Sequence, residues 1–208
     1  MNIRGLALIS SKAKVSILED TLEKDNSIGI MLTETWLSDE ISDAEIQMEN
    51  FEIFRSDRIS RQRGGAAIYL RKELHSKVFN AFSNSVVETL IVTCKTLKIV
   101  FVCAYRPPST KNEEWTQAIN NLNNQIEMVQ SNGGYDTIIF GGDMNFPNLN
   151  WVEKLPKIDL NLCNQEEVFV NFMFTHNLLN YVDIPTRSDN ILDLILTNDY
   201  DLISKTVV

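Results

Sequence analysis

The sequence predicts an α/β protein in which two packed β-sheets are covered on the outside by helices. Three observations support this fold class. Runs rich in Val, Ile and Thr occur among segments of helical periodicity. Two of these runs follow each other in the manner of a hairpin. The order of elements is not a strict alternation of strand and helix, which indicates a sheet with antiparallel parts and helices on its outer side.

The first part of the chain contains one helix and three strands in this interpretation. Apolar residues recur at helical spacing between Lys12 and Glu23 and predict a helix. The apolar run from Ile28 to Leu32 predicts a strand that leads into the polar segment 33–36. Two further strands, within NFEIFRSD and GGAAIYLRKEL, are joined by a basic loop.

The remainder of the chain predicts a hairpin, two helices and two further strands. The hairpin is VVETLIVTCKTLKIVFVCAYRPPS, whose two prolines end the second arm because proline cannot donate to the ladder. Helical spacing extends from Glu113 to Gln130, and the segment Asn132-Gly133-Gly134 is a stop signal. A strand from Thr137 to Phe140, a helix from Gln165 to Asn180 and a strand from Ile191 to Leu196 complete the order.

Length and composition predict a globular protein with one domain over residues 1–208. Hydrophobic residues make up 44% and charged residues 23%, and no apolar stretch approaches the ~18 residues of a membrane span. The three cysteines include no CxxC pair, which predicts buried thiols in a reducing, intracellular setting rather than disulfides or a zinc site. The net charge of -9 is not the overall signature of a nucleic-acid-binding protein.

Positive charge is concentrated in one segment, residues 55–72, which we call the basic segment. Asp57 is its single acid, and its six basic side chains are Arg55, Arg58, Arg61, Arg63, Arg71 and Lys72. Such a patch can hold a polyanion on an acidic protein, and Arg58, Arg61 and Arg63 are its candidate substrate-binding residues. A solvated loop has the same composition, so both interpretations stay open.

Polar side chains end or interrupt several of the expected strands. They are Glu34 after the first strand, Tyr105 and Arg106 after the hairpin, Asp143 and Asn145 after two glycines, Asp193 amid Ile and Leu, and Asn2 before a short apolar run. Each one alone fits a turn or a wet face, and the glycines are expected to turn the backbone out of the sheet. Together they predict a ring of carboxylates, amides and a phenol around one crevice, suited to a hard cation such as Mg²⁺.

Seven short motifs then occur in a fixed order along the chain. They are NIRGL, LTETWL, RGGAAIYLRKEL, YRPPS, FGGDMNFPNLNW, IPTR and ILDLILTN, and they extend over residues 2–198. The ordered set resembles the endonuclease/exonuclease/phosphatase superfamily, which includes deoxyribonuclease I and apurinic endonucleases. Within that superfamily it is most similar to the endonuclease domain of LINE-type (non-LTR) retrotransposons.

The resemblance implies a fold, an activity and a cofactor. The fold is a four-layer α/β sandwich of two mixed β-sheets flanked by helices. The activity is hydrolysis of DNA phosphodiesters assisted by Mg²⁺, with Mn²⁺ as an alternative ion. By its place in the motifs, Glu34 is expected to be the principal metal ligand, and Asn2 the amide that helps to place the metal or the phosphate.

Four further residues take catalytic roles by the same resemblance. Tyr105 is expected to contact the phosphate, and Asp143 to position or deprotonate the attacking water. Asn145 is expected to help stabilise the charge that develops in the transition state. Asp193 is expected to orient a catalytic histidine, because a base with a pKa near neutrality moves the proton efficiently.

The sequence departs from the family at that histidine. Family members carry Ser-Asp-His on a strand after the segment that matches LDLILTN, and this triplet does not occur here. The two histidines of the chain, His75 and His176, lie in other contexts. We therefore expect a domain that is incomplete at its C-terminus, lacks its last strand and is impaired as a nuclease.

Two other functions remain open at the level of sequence. One is a phosphatase or phosphodiesterase of the same fold that acts on lipids or small molecules. The other is a catalytically inert nucleic-acid-binding remnant, for which binding would weaken with salt and no cleavage would occur. The expected partners are DNA and the remainder of the element's open reading frame, with its reverse transcriptase, and no membrane is expected. A nuclear location follows from the resemblance alone.

Overall fold

The computed structural model describes residues 1–6, 11–58, 64–82, 87–158 and 162–203. Within these ranges the elements in chain order are α1 (Ser11–Lys24), β1 (Gly29–Thr33), β2 (Phe51–Ser56), β3 (Ala66–Arg71), β4 (Lys77–Phe82), β5 (Glu88–Cys94), β6 (Ile99–Tyr105), α2 (Asn112–Gly133), β7 (Thr137–Asp143), β8 (Trp151–Val152), β9 (Leu155–Pro156), α3 (Asn164–Thr175), β10 (Leu179–Asn180) and β11 (Asp193–Thr197). Arg61 and Arg63 lie outside the described residues.

The strands form two main sheets. The larger has the order β10-β11-β7-β6-β5-β4 and is mixed, because β6 and β7 pair in parallel whereas its other neighbours are antiparallel. The smaller has the order β1-β3-β2 and is antiparallel, with one parallel bridge between Asn2 and Thr33 beside it. The short strands β8 and β9 form a separate hairpin.

Apolar side chains fill three interfaces and so define four layers. One core lies between α1 and the smaller sheet and includes Leu22 and Tyr69. A second joins residues of both sheets, such as Ile68 and Phe101. A third joins the larger sheet to α2 and α3 around Trp115, with further members Phe140, Phe146, Phe169 and Phe172. The four-layer α/β sandwich that the sequence predicts is confirmed.

The expected end of the last helix is wrong. The last helix ends at Thr175, five residues before the predicted end, because Asn177 adopts the left-handed conformation with φ 53°. The amide of Leu178 then donates back to the carbonyl of Met173 at 2.9 Å, which closes the helix end. The expected burial of the thiols is confirmed for Cys94 and Cys103 and is wrong for Cys163, which is exposed.

The role expected for the two glycines before Asp143 is also wrong. Gly141 and Gly142 lie inside β7 and are paired on both sides, so the strand continues to Asp143. A Cβ atom at Gly142 would lie 1.8 Å from the carbonyl oxygen of Ala104, and one at Gly141 would lie 2.6 Å from the sulfur of Met31 in the facing sheet. These glycines permit close approach of backbone and sheet rather than a turn.

Candidate active site

A polar crevice opens where the ends of strands from both sheets meet. Its volume is about 370 Å³, and its lining residues are Asn2, Arg4, Glu34, Trp36, Tyr105, Pro108, Asp143, Asn145 and Arg187. Five of the residues predicted from sequence are therefore brought together: Asn2, Glu34, Tyr105, Asp143 and Asn145. The smaller sheet supplies the first two from β1 and its bridge, and the larger sheet supplies the other three.

Four ionisable residues form one transverse row across the larger sheet. The registers pair Glu88 with Tyr105, Tyr105 with Asp143, and Asp143 with Asp193. Residues paired in register project from the same face of a sheet, so the row directs a carboxylate, a phenol and two further carboxylates to one side. The row brings Asp193 next to Asp143 at the crevice, although Asp193 itself does not line it.

Asp143 is the most constrained member of the row. The residue is 4% exposed. Asn2 donates from Nδ2 to its Oδ2 at 2.9 Å, and the backbone N–H of Asn145 donates to its Oδ1 at 3.1 Å. Burial raises the pKa of Asp143 above the ordinary range, and the neighbouring charge of Asp193 raises it further, although the two hydrogen bonds oppose the shift. A carboxylate with a raised pKa is better suited to accept a proton than an ordinary aspartate.

The pKa of Glu34 is shifted in the opposite direction to that of Asp143. Burial alone would raise its pKa, but hydrogen bonds from Tyr105, from Trp36 Nε1 and from the amide of Gly64 at 3.2 Å lower the pKa below the ordinary glutamate value. The carboxylate is therefore ionised at neutral pH. Burial and the hydrogen bond to Glu34 raise the pKa of Tyr105, so its phenol stays protonated and remains a donor.

Glu88 is a site residue that the sequence reasoning missed. It is fully buried, accepts a hydrogen bond from Gly65 N at 2.6 Å and forms an ion pair with Arg58 Nε. The adjacent Gly64 donates to Glu34, so the glycine pair links the two glutamates through the backbone. The only signal in the sequence is an acid inside the apolar run VVETLIVTC.

The ion pair with Glu88 sets the environment of Arg58. Its side chain is 15% exposed, and its guanidinium is held by the fully buried carboxylate of Glu88. This pairing stabilises the buried charge. A role of Arg58 in binding substrate stays a prediction, as do those of Arg61 and Arg63 outside the described residues.

Arg106 holds the backbone that carries Asn145. Its Nη1 donates to the carbonyl of Met144 and to that of Asn145, each at 3.1 Å, and its own carbonyl accepts from Asn145 Nδ2 at 2.9 Å. The guanidinium is 6% exposed and stacks on Phe146 at 4.3 Å. One N–H of the Asn145 amide is used in this contact, which leaves the second available to a substrate oxygen.

Left-handed backbone is concentrated around the crevice. Four of its lining residues that are not glycine have positive φ: 45° at Arg4, 57° at Glu34, 55° at Trp36 and 50° at Asn145. Each such residue costs free energy on the order of 1 kcal/mol and persists because the surrounding structure enforces it. The crevice is thus held in a conformation that local preference does not favour.

Neither histidine lies in the crevice. His176 is buried where α3 ends, its Nε2 is 2.8 Å from Asn123 Oδ1 of α2, and burial lowers its pKa. His75 follows β3 on the surface with φ 47°. Asp193 has one buried carboxylate oxygen, Oδ1, without a hydrogen-bond partner, so its capacity to orient another group is unfilled.

The donor set at the crevice is compatible with a hard divalent cation. No group of three or more His, Cys, Asp or Glu side chains that could hold an ion occurs within the ranges that the structure describes. Glu34 is ionised, and Asn2 Oδ1 is buried without a partner. Mg²⁺ is commonly held by one or two carboxylates together with water and substrate phosphate, so this sparse oxygen set fits it better than Zn²⁺.

Comparison with known proteins identifies the family and the fold. A family model described as "Endonuclease-reverse transcriptase" matches residues 99–207. None of the helices in the described residues has the length and apolar character that a membrane crossing requires. A comparison with curated protein sequences gives no significant match.

Several solved structures share the fold. The catalytic domain of human Nocturnin has a TM-score of 0.60 at 14% identity over 95% of this chain and 79% of that chain. The endonuclease domain of TRAS1, a telomere-specific non-LTR retrotransposon, has a TM-score of 0.56 at 17% identity over 94% and 81%. An AP endonuclease from Leishmania major has a TM-score of 0.60 at 14% identity over 94% and 77%. These likenesses show the fold alone.

Proposed function

The chain belongs to the endonuclease/exonuclease/phosphatase superfamily, through the endonuclease-reverse transcriptase family that it matches over residues 99–207, and we propose that it hydrolyses phosphodiester bonds of DNA with a divalent cation. Mg²⁺ is the proposed ion and Mn²⁺ a substitute. The proposed context is the endonuclease domain of a non-LTR retrotransposon, whose open reading frame also supplies a reverse transcriptase. The TRAS1 endonuclease domain among the similar structures supports this context.

One observation carries the proposal. Two carboxyl groups with opposite pKa shifts, Glu34 and Asp143, meet in one crevice with a protonated phenol and two amides. A permanently ionised carboxylate suits a cation, whereas a carboxyl with a raised pKa suits proton transfer. Such separation of pKa values between neighbouring acids is characteristic of an active site.

Each of these residues would have a separate role in the hydrolysis. Asp143, fixed by Asn2 and Asn145, orients the attacking water and accepts its proton while the water oxygen forms a bond to phosphorus. The phosphorus–oxygen ester bond breaks, and the leaving oxygen takes a proton from solvent water and departs as an alcohol. The phenol of Tyr105 and the free N–H of Asn145 donate to the phosphoryl oxygens as negative charge develops there.

The cation would be held by Glu34, and Asn2 Oδ1, a buried amide oxygen of the same crevice without a hydrogen-bond partner, could join it. Bound there, it supplies Lewis-acid neutralisation of charge on the phosphoryl oxygens. No imidazole contacts Asp193 in the described structure, and both histidines of the chain are described. We therefore expect slow hydrolysis from these 208 residues, because one general acid–base contributes about 10²–10⁴-fold.

Nicking of supercoiled plasmid under single-turnover conditions tests the proposal. With enzyme in excess and Mg²⁺ present, the chain should nick slowly, EDTA should stop the reaction, and Glu34→Ala should abolish it. Glu52→Ala, which removes an exposed carboxylate from β2, is the matched control and should nick like the unaltered chain.

Two outcomes would redirect the proposal. Release of phosphate from p-nitrophenyl phosphate without nicking would identify a phosphatase. Salt-dependent DNA binding, with no Mg²⁺-dependent cleavage at any enzyme concentration, would identify an inert binding remnant. Rapid multiple-turnover nicking that Glu34→Ala abolishes would contradict the expected impairment while it upholds the reaction.

A further inference from the structure

Two arginines at the rim of the crevice differ from the other described arginines. Arg4 and Arg187 both line the crevice, and both are exposed. Within the described part of the chain neither guanidinium is within ion-pair distance of a carboxylate. The ion pairs of that part are formed instead by Arg55 with Asp43 and Asp57, Arg58 with Glu88, and Arg71 with Glu23.

This distribution of ion pairs limits which of the described arginines can bind a polyanion. Three arginines of the basic segment are neutralised by neighbouring acids, and Arg106 is buried against backbone carbonyls. The guanidinium groups of Arg4 and Arg187 are available, and they lie beside the proposed catalytic groups. On a chain with a net charge of -9, attraction of a polyanion depends on such local cations.

The backbone around Arg4 is fixed on the side of the smaller sheet. Its neighbours are tied to the end of β1: Ile3 N donates to the Thr33 carbonyl at 3.0 Å and Gly5 N to the Glu34 carbonyl at 2.7 Å. Arg4 itself has φ 45°, a conformation that these two bonds enforce. The residue after Arg4 is thereby hydrogen-bonded to the backbone of Glu34, the proposed metal ligand.

The backbone around Arg187 is fixed on the side of the larger sheet. Arg187 and Asn190 exchange two backbone hydrogen bonds of 3.1 and 3.0 Å, which close a tight turn. The preceding residue, Thr186, accepts from the amide of Asp193 through its Oγ1 at 3.1 Å. The turn that carries Arg187 is thus attached to the start of β11, next to the transverse row.

We propose that Arg4 and Arg187 bind the phosphates that flank the scissile phosphodiester of a polynucleotide, one on each side. The inference rests on the proposed function and names the part of the site that selects a polymer. A guanidinium forms paired hydrogen bonds with phosphate oxygens. Arg4 and Arg187 line the crevice from segments attached to the smaller and the larger sheet, respectively. A small phosphate ester lacks the flanking phosphates and cannot use both contacts.

The test compares binding and hydrolysis for Arg4→Gln, Arg187→Gln and the double variant. Lys95→Gln is the charge-matched control, because Lys95 is exposed in the hairpin turn at the opposite end of β5 and β6. Binding to a 20-base-pair duplex is measured by fluorescence anisotropy in EDTA over a range of NaCl concentrations. Each arginine variant should reduce the slope of log affinity against log salt by about 0.9, and the double variant by about twice that.

Hydrolysis provides the second measurement. The arginine variants should lower kcat/KM for the duplex by a larger factor than for bis(p-nitrophenyl) phosphate, which has no flanking phosphate. Salt slopes equal to that of Lys95→Gln would overturn the proposal, and so would equal losses on the two substrates. Arginine-dependent slopes without any hydrolysis would leave this proposal standing and refute the proposed function, whereas nicking that is insensitive to both arginines would do the reverse.

Discussion

Asp143 and Asp193 are directly opposed across the antiparallel pair of β7 and β11. Directly opposed residues have Cβ atoms about 4.5–5.5 Å apart, and like charges at that distance repel. The repulsion, added to burial, is what makes Asp143 a stronger base than an ordinary aspartate. Asp193 can therefore affect the reaction without touching the substrate.

The pH dependence of hydrolysis should reveal this coupling. Asp143 acts as a base only when ionised, so kcat/KM should rise with pH through a midpoint above the ordinary aspartate range. Asp193→Asn removes the neighbouring charge and should shift the midpoint to lower pH. The measurement is a pH–rate profile, with the exposed Asp183→Asn as control. An unchanged midpoint in Asp193→Asn would show that the two carboxylates are not coupled.

Asp143→Asn should separate stability from activity. A carboxyl whose pKa is raised on folding loses stability as pH rises through that range, so ionised Asp143 destabilises the fold at neutral pH. The variant removes this cost, and the free Asn2 Oδ1 can accept from the new amide if Asn2 flips. We expect an unchanged or higher Tm at pH 7 and at least about 10²-fold slower nicking. A fall in Tm of several degrees would contradict the view that ionised Asp143 destabilises the fold at neutral pH.

Tyr105→Phe should lower activity without loss of the fold. The phenol donates to Glu34 and, in the proposed reaction, to a phosphoryl oxygen. Loss of one such donor costs about 10²–10³-fold in rate. Single-turnover nicking measures the effect, and Tyr200→Phe is the control because Tyr200 is exposed on the surface. Equal rates for the two variants would exclude a role for the phenol.

Arg58→Met tests whether Arg58 stabilises the fold or binds substrate. Removal of one partner from a buried pair strands the carboxylate of Glu88, at a cost of about 3–5 kcal/mol in the free energy of unfolding. Adding Glu88→Gln should recover part of the loss. Arg71→Met, whose partner Glu23 is far more exposed, should cost much less than Arg58→Met. Urea denaturation measures all three.

The alternative for Arg58 has a different signature. A phosphate contact would appear as a decrease of about 0.9 in the slope of log affinity against log salt, with little change in stability. That result would restore the basic segment as the substrate-binding surface.

Gly142→Ala should be among the most damaging single-methyl additions in the chain. The new Cβ would lie 1.8 Å from the Ala104 carbonyl, so the parallel pairing of β6 and β7 would have to open. We expect a loss of more than about 4 kcal/mol in the free energy of unfolding. Gly134→Ala meets no atom within 4 Å and carries only the strain of φ 63°, about 1–2 kcal/mol. Similar denaturation midpoints for the two variants would contradict this view of β7.

The layers and much of the crevice follow from local pattern. Strands were recognisable from runs of β-branched residues, and the polar residue at the end of each run marked where the chain leaves the sheet. Tyr105 and Asp143 could be predicted in this way because each ends a run. Their approach to one another depends on the parallel register of β6 and β7, which the local sequence pattern does not specify.

Glu88, Arg58 and the glycines required the tertiary structure. A buried acid in an apolar run cannot be distinguished by sequence from an acid on the solvent-exposed face of a strand. Only the register of β5 and β6 brings Glu88 beside Tyr105. Arg58 cannot be distinguished by sequence from the other arginines of the basic segment, because its ion pair is formed with Glu88, which is distant along the chain. Gly141 and Gly142 resemble a turn, whereas the packing of Met31 and Ala104 makes them part of a strand.

The left-handed residues around the crevice determine what selection for folding alone would do to this protein. Arg4→Gly, Glu34→Gly and Asn145→Gly would each release backbone strain on the order of 1 kcal/mol, because glycine adopts positive φ freely. Each would also delete a proposed binding or catalytic group. Laboratory evolution scored by heat resistance would therefore favour loss of a crevice side chain wherever the strain released exceeds the hydrogen bonds lost, and its product would be a durable but inert chain.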